Sequence, residues 1–207
     1  MTVAARRSWR EALAVYTRAP VITMLFLGFS AGLPFLLVFS TLTGWLRDVG
    51  VDVAAIGFFS WIGLTYSIKF VWAPVVDRFP LPGVCRLLGQ RRGWMLAGQV
   101  LIATGLAGLA WTDPTVALGW IAAFALVAAF GSATQDVALD AFRIESAPDD
   151  IQAAMAALYV AGWRIGAVLT GGGIAFHLAD GFDWTFAYAV MASLTLVGMI
   201  TVLVRPE

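Results

Sequence analysis

Six long apolar segments, separated by short joints rich in polar residues, proline and glycine, constrain this chain more than any other feature. Their approximate bounds are 21–45, 53–73, 94–111, 116–135, 153–178 and 184–204. A helix that crosses the hydrocarbon core of a bilayer needs about 20 mostly apolar residues. Because lipid cannot hydrogen-bond to backbone groups, only helices and closed barrels cross it. The pattern therefore predicts an all-α integral membrane protein with six transmembrane helices.

The composition agrees with a membrane environment. Charged residues make up 13% of the chain, against about 25% in a soluble domain, so we expect membrane lipid to be the main surrounding partner. Basic and acidic residues both number 13, and this zero net charge excludes a globally basic nucleic-acid binder. Cys85 is the only cysteine, which excludes a disulfide framework or a cysteine-based metal site.

The arginines predict the orientation and the domain bounds. One group lies before the first segment, between the second and third, after the fourth and after the sixth: Arg6, Arg7, Arg10, Arg18, Arg78, Arg86, Arg91, Arg92, Arg143 and Arg205. The opposite joints hold Arg47 alone. Because cytoplasmic loops are enriched in arginine and lysine, we expect both termini in the cytoplasm. The predicted parts are a cytoplasmic juxtamembrane segment (1–20), a transmembrane domain (21–204) and a cytoplasmic end (205–207).

Four ionisable residues fall inside the apolar segments or at their edges: Lys69, Asp136, Asp140 and Arg164. A charge at the bilayer centre costs about 2.5–3.5 kcal/mol on insertion scales, and such residues usually face a bundle interior or a water-filled path. Arg164 lies roughly 16 Å along its segment at 1.5 Å per residue, near the midplane. We interpret it as a partner for an anionic substrate or a charged gate, with a structural ion pair as the alternative. Lys69 has the same two interpretations.

Asp136 and Asp140 are four residues apart and share one helical face, and Arg143 lies within reach of Asp140. Two hypotheses stay open for Asp136: an ion pair at the inner edge of the membrane, or a group that binds protons or cations in a transport path. Gln135 is assigned to the same network. For Asp140 and Arg143 a structural role is favoured.

Aromatic and small residues offer further candidates. Trp61, Trp163 and Tyr66 lie away from the predicted segment ends, where they either pack or stack on a sugar ring. Glycines four residues apart occur twice, and a glycine triplet follows at 171–173. Small residues at this spacing allow close helix packing, whereas glycine also permits bending, and both readings stay open.

Enzyme chemistry has little support in the sequence. His177 is the only histidine, so a multi-histidine metal site is excluded, and the chain has neither a G-x-S-x-G elbow nor a P-loop. Charges of mixed sign at different depths do not resemble the ring filter of a channel. The sequence therefore favours a transporter that is not an enzyme and holds no metal or cofactor.

Several motifs in order resemble the bacterial muropeptide permeases, a family within the major facilitator superfamily. They are GFSAGLPFLLVFSTLTGWL, KFVWAPVVDR, RRGW, TQDVALDAFR and GWRIG, and they extend over nearly the whole chain. Eukaryotic acetyl-CoA transporters resemble this family and share a similar TQD-x-x-x-D run.

This resemblance implies a function. Muropeptide permeases import anhydromuropeptides from the periplasm across the bacterial inner membrane for cell-wall recycling, with the proton gradient as energy source. Arg164 and Lys69 would suit the carboxylates of the substrate, and Trp163 or Trp61 its sugars. The alternatives are an acetyl-CoA-like or other solute carrier, or a membrane fragment or assembly partner that does not transport.

The resemblance also implies a cluster of structural charges and a missing partner. Asp77, Arg78, Arg91 and Arg92 match the ends of the superfamily's loop motif, although FPLPGVCRLLGQ interrupts it. With Asp140 and Arg143 they would latch the cytoplasmic side, Arg78 facing Asp140. Superfamily transporters have two six-helix halves, so we expect a second half from a longer chain, a second copy or a partner chain.

Overall fold

The computed structural model describes residues 9–205, without the side chains of residues 10–12. Arg6 and Arg7, used above to predict orientation, therefore lie outside the described residues. Six helices in that range are long and apolar enough to cross a membrane, and they are called here the first to sixth spans: Ala19–Asp48, Val53–Val71, Gln90–Ala110, Leu118–Glu145, Asp149–Gly181 and Trp184–Val204. The predicted all-α fold with six transmembrane helices is confirmed.

Two spans contain a π-helical segment in which the backbone is locally widened. The first span consists of Ala19–Leu36, the π segment Leu37–Thr41 and Leu42–Asp48. The fifth consists of Asp149–Arg164, the π segment Ile165–Ile174 and Ala175–Gly181. Pro34 precedes the first π segment, and proline removes one helical donor and disturbs the turn before it.

The second span is the least regular. Its parts are α-helices and 3₁₀ turns in alternation: Val53–Phe59, Ser60–Gly63, Leu64–Ser67 and Lys69–Val71. The short helix Ala73–Arg78 continues it. The side chain of Asp52 caps its start by accepting from the Ala54 amide at 3.0 Å. A short helix, Val84–Leu88, lies in the following loop. The sixth span divides into Trp184–Leu194 and Leu196–Val204, and short helical turns, Trp9–Ala14 and Val15–Thr17, precede the first.

The fourth span continues further than the sequence suggested. It was expected to end near residue 135, but the helix runs to Glu145. No proline or glycine interrupts the chain between Gly131 and Pro148, so nothing breaks the helix earlier. The third span likewise begins at Gln90, four residues before the predicted start. The charged residues between 136 and 145 therefore occupy a helix and have the fixed directions of helical side chains.

The first and fifth spans pack backbone against backbone. A Cβ atom added to any of four glycines would collide with a main-chain carbonyl of the other span: Gly28 with Tyr159, Gly32 with Trp163, Gly162 with Leu25 and Gly166 with Phe29. This reciprocal contact is the small-residue packing of membrane helices. These four glycines therefore serve packing.

The third and fourth spans meet in the same way. A Cβ on Gly98 would lie 2.7 Å from the Gly131 carbonyl, and one on Gly105 would lie 2.7 Å from the Ala128 backbone. The sixth span covers the first and third through Tyr188, Met191 and Val202, all buried. An ion pair joins the starts of the first and fifth spans, and two arginines join the start of the third span to the ends of the fourth and sixth. This side of the bundle is called here the arginine-rich end.

Candidate functional site

An ion pair within the membrane joins the second and fourth spans. The Nζ atom of Lys69 lies 3.7 Å from Oδ2 of Asp136. The side chains are 37% and 19% exposed, so the pair is partly accessible from outside the six-helix bundle. The irregular backbone contributes to this position, because Lys69 lies in a 3₁₀ turn. The two charges compensate each other in a region where an isolated charge is costly.

Buried polar groups lie next to this pair. Among the described residues, both amide atoms of Gln135, Oδ1 of Asp136 and the indole N–H of Trp72, three residues after Lys69, have no hydrogen-bond partner. The buried Tyr66 hydroxyl lies next to that of Ser132. Leaving such an atom unpaired costs about 1–3 kcal/mol, so a group of them marks a place where the fold is not the only constraint on the sequence. We call Tyr66, Lys69, Ser132, Gln135 and Asp136 the polar cluster.

Four aromatic rings adjoin the polar cluster. The Phe35 ring centroid lies 5.4 Å from that of Trp163, 5.8 Å from that of Tyr66 and 5.3 Å from that of Phe39. Phe39 and Tyr66 are 5.7 Å apart. These residues form the aromatic cluster, which the first, second and fifth spans contribute. Tyr66 belongs to both clusters, so aromatic faces and polar groups meet at one place.

The structure brings together five of the seven residues predicted for binding or gating. Lys69, Gln135 and Asp136 lie in the polar cluster, Trp163 in the aromatic cluster and Tyr66 in both. Trp61 is 68% exposed and makes no ring contact with the described residues. Arg164 is exposed, directly follows Trp163 and forms no ion pair within residues 9–205.

Sequence reasoning missed Ser132, Trp72, Phe35 and Phe39. Ser132 precedes Asp136 by four residues and therefore shares its helical face, a signal that was available. The phenylalanines gave no signal, because an apolar ring in an apolar span looks like ordinary packing. Only the approach of three separate spans distinguishes them.

At the arginine-rich end, Arg91 joins the second, third and fourth spans. Its guanidinium contacts Asp77 at 2.6 Å and Glu145 at 2.8 Å, and a second nitrogen donates to Glu145 at 3.1 Å. The paired bonds to Glu145 use the planar fork of the guanidinium. Glu145 was not predicted, because the fourth helix was expected to end before it.

The expected contact between Arg78 and Asp140 is not observed. Asp140 instead lies 3.7 Å from Arg143, three residues along the same helix, and Arg78 forms no ion pair with any described residue. The continued fourth helix explains the difference, because it carries Glu145 to Arg91. Arg91 then holds the Asp77 carboxylate, the neighbour of Arg78.

Arg92 has a different role from Arg91. It is 8% exposed and donates to the Val202 carbonyl at 2.8 and 2.6 Å and to the Leu203 carbonyl at 3.0 Å. The last carbonyls of a helix have no partner in the helix itself, and a basic side chain there is favourable. Arg92 thus caps the sixth span.

Comparison with known proteins identifies the family. Residues 24–207 match the Major Facilitator Superfamily. The chain belongs to this superfamily. The expected resemblance to muropeptide permeases is also confirmed: the Anhydromuropeptide permease of Escherichia coli (strain K12) is 39% identical over 196 residues, covering 94% of this chain and 39% of the relative.

Two further relatives carry the same family of names. Putative transporter AmpG 4 of Rickettsia conorii is 35% identical over 183 residues, covering 87% of this chain and 44% of the relative. Putative transporter AmpG 3 of Rickettsia typhi is 30% identical over 194 residues, covering 93% and 46%. The chain spans about two-fifths of the length of these relatives.

Membership of the superfamily decides the broad class. The chain is a multi-pass membrane protein of a transporter superfamily, and its relatives are named as permeases or transporters. The prediction that it is not an enzyme is confirmed by these relatives. Among the described residues, no group of three or more His, Cys, Asp or Glu side chains is placed to hold a metal ion.

Proposed function

We propose that this chain forms one six-helix half of a secondary transporter that imports anhydromuropeptides across a bacterial inner membrane for cell-wall recycling. The named function of the Escherichia coli relative supports the substrate. Both termini lie in the cytoplasm, and the arginine-rich end is the cytoplasmic end. This orientation follows from the charge rule for membrane loops.

The observation that carries this proposal is the Lys69–Asp136 pair among unpartnered polar groups. An ammonium in the membrane attracts a substrate carboxylate, and that carboxylate competes with Asp136 for Lys69. When Lys69 turns to the substrate, Asp136 loses its compensating cation and takes up a proton. The proton gradient thereby becomes the energy source, and no cofactor is required.

The aromatic cluster supplies the complementary surface. Sugar rings have apolar faces that pack on aromatic rings, and Trp163 and Phe35 lie next to the polar cluster. Arg164 follows Trp163 and is exposed at the same level of the fifth span. Its planar guanidinium suits a carboxylate. A glycopeptide with sugars and carboxylates matches this combination of groups.

The other wall of the substrate cavity comes from a second six-helix half. Transporters of this superfamily bind substrate between two such halves, and the chain spans about two-fifths of its relatives' length. In this half, Arg164 is exposed without an ion pair among the described residues, and the side chain of Lys69 is partly exposed. A facing half covers these groups, which are costly in lipid.

Uptake of labelled anhydromuropeptide tests the proposal. The chain is co-expressed with a second half from a full-length relative in cells that lack their own permease, and uptake is followed with and without a proton gradient. We expect gradient-dependent uptake that Lys69→Met and Asp136→Asn each reduce at least tenfold. Asp180→Asn, an exposed aspartate at the opposite end, is the matched control and retains the parental rate.

Two results would contradict the proposal. Uptake of acetyl-CoA or another solute in place of anhydromuropeptide would show that the proposed substrate is wrong. Full uptake by Arg164→Ala at normal expression would remove the substrate and gate role of Arg164.

A further inference from the structure

The two π segments lie beside each other and are joined by a buried hydrogen bond. The hydroxyl of Thr41, the last residue of the first segment, donates to the Gly171 carbonyl in the second at 2.7 Å. Thr41 is 0% exposed. A π turn shifts the backbone bonding pattern and often marks a functional site. The Thr41 hydroxyl thus provides a hydrogen-bond donor to the Gly171 carbonyl, which lies within the second π segment.

A second buried hydroxyl holds the start of the first π segment. Tyr188 of the sixth span donates from its hydroxyl to the Leu37 carbonyl at 2.8 Å. Tyr188 is also 0% exposed and lies outside the polar and aromatic clusters. Each π segment therefore has a carbonyl bonded to a side chain from another span. Neither contact is visible from the local sequence.

Both π segments adjoin the aromatic cluster. Leu37 lies midway between Phe35 and Phe39, and the second segment begins two residues after Trp163. Residues four apart share a face in an α-helix, and a π turn between them changes the angle at which their side chains leave the backbone. The direction of Phe39 relative to Phe35 therefore depends on the π geometry, and Trp163 lies in the last helical turn before the second segment.

We propose that Thr41 and Tyr188 are positioning residues for the site. Their hydroxyls hold the two π segments so that Phe35 and Phe39 contact Tyr66 and Trp163 contacts Phe35. The substrate contacts the rings, while Thr41 and Tyr188 determine where the rings stand. This role rests on the proposed function only in naming the substrate. The geometric part concerns the chain alone.

The test uses the chain in lipid nanodiscs, labelled with 5-fluorotryptophan. The ¹⁹F resonance of Trp163 is assigned by its loss in Trp163→Phe, and amide exchange of residues 37–41 and 165–174 is measured in parallel. Thr41→Val removes the donor at almost constant volume, and Thr41→Ser keeps it. Thr195→Val is the matched control, because Thr195 is also buried but bonds the Ala192 carbonyl within its own span.

Thr41→Val and Tyr188→Phe are each expected to shift the Trp163 resonance. The amide exchange rate should rise about five- to a hundredfold in residues 165–174 of Thr41→Val and in residues 37–41 of Tyr188→Phe, because a buried carbonyl of that segment loses its partner. Thr41→Ser and Thr195→Val should behave as the parent. An unmoved Trp163 resonance in both Thr41→Val and Tyr188→Phe, or equal shifts in Thr195→Val, would overturn the positioning role.

Uptake kinetics separate this inference from the proposed function. In the co-expressed transporter, Thr41→Val should raise KM for anhydromuropeptide about tenfold with little change in maximal rate, since a misplaced ring weakens binding. If the parent itself shows no uptake, the proposed function fails, and the fluorine and exchange measurements still decide the positioning role.

Discussion

The first and fifth spans meet along glycines, whereas the second and fourth meet along polar side chains. On the first side, four glycines bring the two backbones into direct contact. On the second side, a lysine and an aspartate pair at 3.7 Å, and several buried polar atoms have no partner. Both interfaces lie in the same bundle, but they follow different physical rules.

The difference separates the residues that determine the fold from the residues of the proposed transport site. Contact through glycine maximises dispersion where lipid provides no hydrophobic driving force. Unpaired polar groups weaken a bundle, so their presence beside Lys69 requires another reason. The proposed substrate binding and proton transfer supply that reason. Substitutions on the two sides should therefore affect different measurements.

Gly32→Ala should have the largest effect on stability. Its new Cβ would collide with the Trp163 carbonyl, which cannot move without displacing the fifth span. Overpacking of this kind costs about 1–3 kcal/mol, and the rigid backbone partner places the expected loss at the upper end. Unfolding in mixed detergent micelles with increasing SDS measures it.

Gly57→Ala is the control for that prediction. Nothing lies within 4 Å of a Cβ at this position in the second span. Alanine should leave stability unchanged or raise it by up to about 1 kcal/mol, because it is the better helix former. Equal losses at Gly32 and Gly57 would show that the glycine contact between the first and fifth spans is not tight.

On the polar side, Lys69→Met should destabilise the fold by about 1–2 kcal/mol, because it leaves the Asp136 carboxylate without its cation. The value is reduced from that of a fully buried pair, since Lys69 is partly exposed. The double variant with Asp136→Asn should recover most of the loss. A double-mutant cycle measured by the same SDS unfolding gives the coupling energy.

The ion pair of Asp140 and Arg143 is the control for the double-mutant cycle of Lys69 and Asp136. Their separation is also 3.7 Å, but they lie on one helix and Asp140 is 55% exposed. The coupling should be about 0.3–0.5 kcal/mol, as for other helical surface pairs. If both cycles give the same coupling, the membrane position of Lys69 and Asp136 adds nothing to their interaction.

At the arginine-rich end, Arg91→Lys should cost about 1 kcal/mol. Lysine keeps the charge, but its ammonium cannot form the two parallel bonds to Glu145 and the bond to Asp77 at the same time. Arg78 ends the neighbouring helix Ala73–Arg78 and forms no ion pair among the described residues, so Arg78→Lys should change stability by less than about 0.5 kcal/mol. Thermal unfolding followed by tryptophan fluorescence measures both variants.

The spans were predictable from the sequence because lipid imposes a length and a composition on every crossing helix. The sixth span begins and ends where it was expected. Helix ends were harder, since the fourth span crosses into polar sequence without a breaker and reaches Glu145. The Arg91–Glu145 contact depended on that end and was therefore missed.

The site was predictable in its charges but not in its partners. Lys69 and Asp136 stand out because charges are rare in apolar spans, but their pairing depends on how two helices are rotated about their axes. The two π segments are joined by the Thr41–Gly171 bond, whose residues are 130 positions apart. No local pattern predicts such a contact.

The smallest predicted effect on stability concerns Asp113, which contrasts with Asp136 in the same helical hairpin. At the turn between the third and fourth spans, Oδ1 of Asp113 accepts from the Thr115 hydroxyl at 2.7 Å and the Thr115 amide at 2.8 Å, whereas Oδ1 of Asp136 has no partner. The Thr115 hydroxyl bond, followed by the amide bond, lowers the pKa of Asp113.

A lowered pKa in the folded state stabilises the fold above the ordinary aspartate pKa of about 3.9. This contribution is lost as the pH falls through the folded value. Asp113→Asn should therefore lower the thermal midpoint slightly at about pH 6 and converge with the parent once the pH has fallen below the folded pKa. Thr115→Val should produce the same convergence, because it removes the principal donor to the carboxylate. A constant difference between parent and variants across this range would assign the effect to the shape of the turn, not to the charge of Asp113.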